Sequence, residues 1–410
     1  MNIKTYNYSF NKPFYFGLFF ALFLGQYSCS NDNLTEDGKV PSGQNTTSVV
    51  GLTFKSRIPI KNIGSNNWME SLTDDIDIRD VSIPATHDSG THDLMPLAKC
   101  QDLSISAQLN AGIRFLDIRV TPQGTGSVYN FNLKLSHTFI SATSFNDVLL
   151  NVKQFLKVNP TETVLIKISR DTGAECDLPD YRKENVSFLN EYNTYKNNVK
   201  LENFLTQFLI AQEINKEYAT MFTKNINVNN KIRISDLRGK ALLFYDYSKF
   251  PKSFSKINSV SVGFYGDNLK KVQLLPTTNP LLLIQDYYKN TWYSSKYEDE
   301  KVKKGLINEF MVKRNELAIQ MAKNTFRGIN TKTPFSFNFI SMSGVVTTPN
   351  DYSKSMNMFF LNEIIKNYDA SKTIYLNGSK QLKYNVGFGI TFFDFPSNDL
   401  IRAVYNNNFK

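Results

Sequence analysis

Along the chain, short apolar runs alternate with longer stretches in which apolar residues recur at helical spacing. The short runs predict strands at Val81–Ile83, Arg114–Arg119, Asn132–Leu135, Thr163–Ile168, Ala241–Tyr245, Leu281–Ile284, Phe335–Ile340 and Gly389–Phe393. The longer stretches predict helices over 104–111, 145–158, 184–212, 298–324, 355–368 and 397–405. Strands alternating with helices argue for βα units around a parallel sheet, and eight strands suggest a single distorted (β/α)8 barrel of the TIM type. The Asn-rich stretch 172–235 is long for one connection and is expected to carry extra helices.

The N-terminus follows a different pattern. Lys4 and Lys12 precede the apolar run Phe14–Gly25, and Cys29 follows shortly after it. A basic start and a short apolar run read as an export signal rather than a membrane span. A cysteine in that place is similar to a bacterial lipoprotein signal, with Cys29 lipidated. The expected organisation is a signal over 1–28, a flexible tether rich in Asn, Ser, Thr and Gly over 29–60, and one catalytic domain over 61–410. The chain is then exported, as an outer-membrane or cell-surface lipoprotein or as a secreted soluble protein. Export would permit a Cys100–Cys176 disulfide, although the sequence does not bring the two sulfurs together.

Composition narrows the chemistry. The 410 residues are 41% hydrophobic and 13% aromatic, which excludes a disordered chain. A net charge of +10 suits an anionic partner. With no zinc-finger spacing and no long Lys/Arg run, nucleic acid is not expected to be that partner. Three histidines leave little room for a multi-histidine metal centre.

In a βα barrel, reactive groups sit at the C-terminal ends of the strands. His87 and Asp88 follow the first predicted strand, and Asp117 and Arg119 share one face of the second by period-two alternation. His137 follows the third, Ser169 and Asp171 the fourth, Asp246 the fifth, Asp286 and Tyr288 the sixth, and Asp394 the last. Any one of these could be a cap or a loop residue; the set would gather two histidines, an arginine and several carboxylates on one rim. His92, in a loop with Asp93, reads as structural. Two histidines beside an arginine suit phosphodiester cleavage. A neutral imidazole takes a proton from an attacking hydroxyl, and a protonated one gives a proton to the leaving oxygen. A guanidinium holds the charged phosphate oxygens, and a carboxylate behind an imidazole fixes its tautomer.

These residues carry a family resemblance. Trp68-Met69, Val81-Ser-Ile-Pro-Ala-Thr-His-Asp-Ser-Gly-Thr91 and Gln108-Leu-Asn-Ala-Gly-Ile-Arg-Phe-Leu-Asp-Ile-Arg119 resemble bacterial phosphatidylinositol-specific phospholipase C. Phe155–Thr163, Asp236–Lys240, Ile284–Tyr288 and Gly389–Asp394 continue it in order, over roughly 61–405. The resemblance implies that His87 is the general base, paired with Asp394, and His137 the general acid, assisted by Asp88. Arg119 would clamp the phosphate with Asp117 in support, and Asp286 and Tyr288 would contact the sugar ring. The products would be diacylglycerol and inositol 1,2-cyclic phosphate, formed by a monomer acting on phospholipid at a membrane surface.

Relatives that use calcium place carboxylates or Asn around the ion near the phosphate. Arg119 stands there instead, so no metal and no cofactor are expected. Two basic residues of the bacterial inositol pocket align with Ser169 and Asp246, while Lys167 lies deeper on the strand of Ser169. A different phospholipid or glycerophosphodiester head group, or a non-catalytic surface lipoprotein, therefore remains open. Arg238 reads as structural. Trp292, Tyr293, Tyr287 and Phe250 could form an aromatic rim that touches a bilayer.

Overall fold

The computed structural model describes residues 63–409, except 180–185, 198, 224–225, 246–259, 262–269, 276–281, 289–294, 327–332, 344–346, 368–370, 377–379 and 386. The expected leader, Cys29 and the tether therefore lie outside the described residues, as do Asp246, Phe250, Trp292 and Tyr293.

The main sheet contains β1 (Ile83–Thr86), β2 (Phe115–Gln123), β5 (Val164–Arg170), β6 (Ala241–Tyr245), β7 (Val260–Ser261), β8 (Gln273–Leu275), β9 (Leu282–Gln285), β10 (Phe335–Phe339) and β13 (Ile390–Phe393). Their order is β7-β6-β5-β2-β1-β13-β10-β9-β8. Every neighbouring pair is parallel except β8 with β9. The first strand of the chain thus pairs with the last, as a barrel requires, and the fold is a distorted TIM-type barrel. Among the described residues no pairing joins β7 to β8.

Seven of the eight expected strands lie on this path. The eighth, β3 (Asn132–His137), does not: it pairs antiparallel with β2 and with β4 (Phe139–Ser144), as a hairpin beside the barrel. Its alternation is the same in either pairing, so periodicity did not distinguish a hairpin arm from a barrel strand. The eighth parallel place is taken by β7, of which Val260 and Ser261 are described. A second hairpin, β11 (Ser371–Leu376) with β12 (Lys380–Asn385), was not anticipated.

The extra helices expected over 172–235 are present. The single helix foreseen over 184–212 is two, Val186–Tyr195 and Leu201–Glu213. Lys200, extended at φ −62° and ψ 149°, precedes the second. The helix expected from 355 begins earlier, at Pro349, where Thr348 and Asp351 form a capping box.

Rings from four strands fill the barrel. Phe115, Phe244, Phe335, Phe337 and Phe392 pack mostly edge-on, with centroids 4.9–5.9 Å apart. Below them the N-terminal strand ends are closed by a buried ion pair, Arg114 with Glu162 at 2.8 Å. Glu162 also accepts from the backbone N–H groups of Met69 and Glu70. Trp68 donates to Gly112 O at 2.9 Å. Arg238 donates to the carbonyls of Met69, Thr161 and Leu72 and to Asp74, which is the structural role expected of it. The following Gly239 has φ +68°, and a Cβ there would lie 3.2 Å from Pro160 O. The Trp-Met, Thr-Glu and Arg-Gly-Lys segments are thus the floor of the barrel. Reactive groups collect at the other end.

Candidate active site

Alternation along the strands sends His87, Arg119 and Asp394 toward the mouth on the same face as the buried rings below them. The register sets Arg119 opposite Ser169 and Asp117 opposite Lys167 on the neighbouring strand. The Thr-His-Asp-Ser-Gly segment is tied down around His87. Thr86 donates to Gln108 Oε1, Ser89 and Asp117 exchange hydrogen bonds between β2 and the loop, and Gln101 donates to His87 O at 2.7 Å. A Cβ at Gly90 would lie 2.2 Å from the Leu135 side chain, which would have to shift to admit it.

His87 Nδ1 lies 2.9 Å from Asp394 Oδ1, and its Nε2 lies 2.8 Å from an Arg119 Nη2. A guanidinium only donates, so Nε2 accepts and the proton sits on Nδ1, directed at Asp394. Arg119 Nε is paired with Asp88 Oδ1. The other Asp88 oxygen lies 3.3 Å from His87 Nε2 and 3.6 Å from His137 Nε2. Asp88 is therefore shared between both histidines and the arginine. Asp117 is bonded to Lys167 at 3.0 Å and lies 3.9 Å from Arg119. Lys167, which the sequence placed too deep for the pocket, is indeed committed to that pair below Ser169.

His137 ends β3. Its Nδ1 donates to Ala98 O at 2.8 Å, leaving Nε2 to face Asp88. The turn beyond it is held by Asp171, which accepts from the N–H groups of Thr138 and Gly173 at 2.6 and 2.8 Å. Asp171 thus supports His137 rather than lining the pocket. Asp88, Thr138 and Phe395 all have positive φ, at 44°, 62° and 45°. Each directly follows a candidate catalytic residue: His87, His137 and Asp394. Non-glycine backbone in that region is strained, and here it turns the chain just where a side chain must be presented.

Burial opposes charge on His87, but Asp88 and Asp394 outweigh it and lift the imidazole above its usual pKa. Burial also opposes charge on Asp117, yet Lys167 and Arg119 hold that carboxylate well below the usual range. Arg119 is likewise pulled up by Asp88 and Asp117 against its own burial. Asp394 moves the other way: burial raises it, and His87 only partly compensates. A test follows from the His87 shift. Since Asp394 helps raise this imidazole, Asp394→Asn should move the acid limb of the pH–kcat/KM profile to lower pH as well as reduce the rate. An acid limb that stays in place would detach Asp394 from the titration of the base.

Asp286 follows β9 and is buried, on the face of Leu282 and Ile284; Tyr288 is exposed beyond it. Tyr287 is fully buried, with its hydroxyl 3.3 Å from Asp299, and so does not belong to the expected aromatic rim. His92 is half-buried in the loop after β1. Cys100 and Cys176 are free thiols, not a disulfide.

Two buried residues near this set are not among the site candidates of the sequence. Cys100 Sγ lies 3.9 Å from Asp88 Oδ2 and 3.8 Å from His137 Nδ1. Lys303 lies behind β9, where burial lowers its ammonium to about 7 against the opposing pull of Asp286 and Asp394. Neither carries a motif, because burial of one polar residue leaves no periodic trace. Among the described residues, three trios could converge on a metal ion: His87–Cys100–Asp394, Asp88–Cys100–His137 and His87–Asp88–Asp117. In each, a carboxylate is already matched to a cationic side chain or to an imidazole.

Comparison with known proteins finds similarity over most of the chain. Residues 75–245 match the family model "Phosphatidylinositol-specific phospholipase C, X domain". A 1-phosphatidylinositol phosphodiesterase of Listeria monocytogenes is 26% identical over 360 residues, covering 85% of this chain and 87% of that protein. One from Staphylococcus aureus is 26% identical over 245 residues, or 57% of this chain and 67% of that one. The solved Listeria phosphatidylinositol-specific phospholipase C superposes with a TM-score of 0.52 at 22% identity, over 84% of this chain and 99% of that one. A Staphylococcus aureus structure gives 0.57 at 19%, over 84% and 98%. In its fold, and in sequence along most of its length, the chain resembles the bacterial phosphatidylinositol-specific phospholipases C and carries a match to their X domain.

Proposed function

We propose that this chain is a phospholipase C that cleaves phosphatidylinositol at a bilayer surface without a metal ion. The observation that carries the reading is the different set of partners around the two imidazoles. His87 offers an unprotonated Nε2 backed by Asp394, and His137 is fixed through Nδ1 with Nε2 facing Asp88.

The Arg119 guanidinium moves from His87 Nε2 to a phosphate oxygen when lipid binds, which frees the base. His87 Nε2 takes the proton of the inositol 2-hydroxyl as that oxygen bonds to phosphorus. The bond from phosphorus to the glycerol oxygen breaks, and His137 Nε2 supplies the proton to that oxygen. Diacylglycerol and inositol 1,2-cyclic phosphate leave, with one proton passed from His137 to the leaving group and one gained by His87. Asp394 stabilises the imidazolium formed on His87. Arg119, held by Asp88, supplies the positive charge at the phosphate that calcium supplies elsewhere. Asp286 and Tyr288 accept the ring hydroxyls.

We place the protein outside the cytoplasm as a monomer, with residues 1–28 as leader, Cys29 as the lipid-modified residue and 29–60 as tether. A second reading, the same chemistry on another head group, is favoured by one feature: Ser169, a neutral residue, stands beside Arg119 in the register.

A vesicle panel separates the two. Phosphatidylinositol is expected to release diacylglycerol. Phosphatidylcholine is not, because choline has no hydroxyl able to attack its own phosphorus. Cleavage of phosphatidylcholine, or inert phosphatidylinositol with another lipid turned over, would replace the proposal.

A further inference from the structure

At the mouth end of β13 the chain leaves the sheet. The ladder between β1 and β13 closes there, with His87 N donating to Phe393 O at 3.0 Å. Asp394 and Phe395 lie beyond it, and Phe395 turns the backbone at φ +45°. Carbonyls in such a turn lose their strand partners, and burying them unpaired is costly.

The helix Pro349–Phe359 supplies what the sheet does not. Tyr352, Met356 and, one residue past its end, Phe360 recur at four-residue spacing and enter the apolar layer behind β13, where Phe360 meets Phe393 edge-on at 5.4 Å. From this seat Asn357 reaches the strand end. Its Nδ2 donates to Asp394 O at 2.9 Å and to Phe395 O at 3.2 Å. A third bond, from Phe395 N to Cys100 O at 3.0 Å, ties the same turn to the loop after β1.

The Asp394 side chain depends on that turn. Its Oδ1 is bonded to His87 Nδ1 at 2.9 Å, and its Oδ2 has no hydrogen-bond partner among the described residues. The direction of the carboxylate is therefore set by its own backbone. His87 has a separate brace: the buried Gln101 donates from Nε2 to His87 O at 2.7 Å and to Phe393 O at 2.9 Å. Each half of the His87–Asp394 pair is thus held by a side-chain amide acting on main-chain carbonyls, one from the loop and one from the helix.

We propose that Asn357 is a positioning residue for the base: by holding the carbonyls of Asp394 and Phe395, it aims the Asp394 carboxylate at His87 Nδ1. The inference rests on the proposed function and adds to it a residue on a helix outside the pocket. Asp88 from its own loop, Asp117 and Arg119 from β2, Cys100 and Asp394 face the His87 ring. Of these the Asn357 amide reaches Asp394 alone.

The test is a double-mutant cycle on the full-length protein, with Asn357→Leu and Asp394→Asn singly and together. Leucine keeps the size of the side chain and removes the donor. The first readout is the titration of the His87 ring by NMR, which needs no turnover. Asp394 helps to raise this imidazole, so Asn357→Leu should lower its pKa, by no more than Asp394→Asn does. The double variant should match Asp394→Asn alone. The second readout is turnover: Asn357→Leu is expected to lower kcat on phosphatidylinositol vesicles roughly tenfold, with KM changed less than about threefold. Should the leucine variant not fold, Asn357→Ala carries the same predictions. A His87 titration that does not fall, whatever happens to Tm or kcat, would overturn the proposal, as would shifts that add in the double variant. Asn357 would then be a tie between helix and sheet and nothing more. Should the unaltered protein fail to cleave phosphatidylinositol, the substrate reading falls, and the titration cycle alone decides whether Asn357 serves Asp394.

Discussion

Arg119→Lys should lower kcat/KM on phosphatidylinositol vesicles by at least about a hundredfold while leaving the fold intact. Arg119 uses separate edges of one planar group: Nε on Asp88 and Nη2 on His87 Nε2. Once lipid is bound, the second edge faces the phosphate. A lysine ammonium is a point charge on a flexible stem and cannot span Asp88 and the phosphate at once. Losing one well-placed donor to a developing oxyanion costs on the order of 10²–10³ in rate. Steady-state turnover with circular dichroism as the fold control checks this. A rate within tenfold of the parent would mean that charge alone suffices, and that the fork geometry is incidental.

His137→Ala should show a larger and more diagnostic effect. General acid catalysis contributes about 10²–10⁴ in rate when the leaving group is a poor one, as an alkoxide is. The expected loss on phosphatidylinositol is in that range. On an aryl ester of inositol phosphate, whose phenolate leaves without protonation, most of the loss should disappear. His87→Ala should be impaired on both substrates, because the attacking hydroxyl needs a base whichever group departs. Equal losses for His137→Ala on the two substrates would remove the acid role from His137. They would leave its bond to Ala98 and its proximity to Asp88 as structural.

The candidate set was legible because barrels put such residues in a readable place. His87, Arg119 and Asp394 stand at strand ends, and period-two alternation alone sets Asp117 and Arg119 on one face. What the alternation did not reveal was connectivity. β3 has the pattern of a barrel strand and the pairing of a hairpin, yet it still delivers His137, because the hairpin lies against the mouth end of β2. The helix starts at Pro349, where Thr348 and Asp351 form a capping box, ahead of the apolar positions that mark it in the sequence.

Other features had no signal to read. Backbone turns at positive φ are usually announced by glycine, but here Asp88, Thr138 and Phe395 make them, held by the surrounding hydrogen bonds and packing. Cys100 and Lys303 look like an ordinary cysteine and one lysine among many on a helix. What sets them apart is burial, which is a property of the fold and not of the local sequence. Tyr287 misled in the opposite sense: an aromatic in a mouth loop suggested a bilayer contact, but alternation from β9 turns it into the helix-facing layer.

The central claim is a metal-free transfer within the substrate, driven by the His87–His137 pair. Phosphorus NMR of the protein with phosphatidylinositol vesicles, recorded with and without EDTA, tests it most directly. The account predicts a cyclic inositol phosphate resonance that grows at the same rate in both samples and precedes any acyclic monophosphate. An acyclic product from the first time point, or a signal abolished by EDTA and restored by calcium, would contradict it.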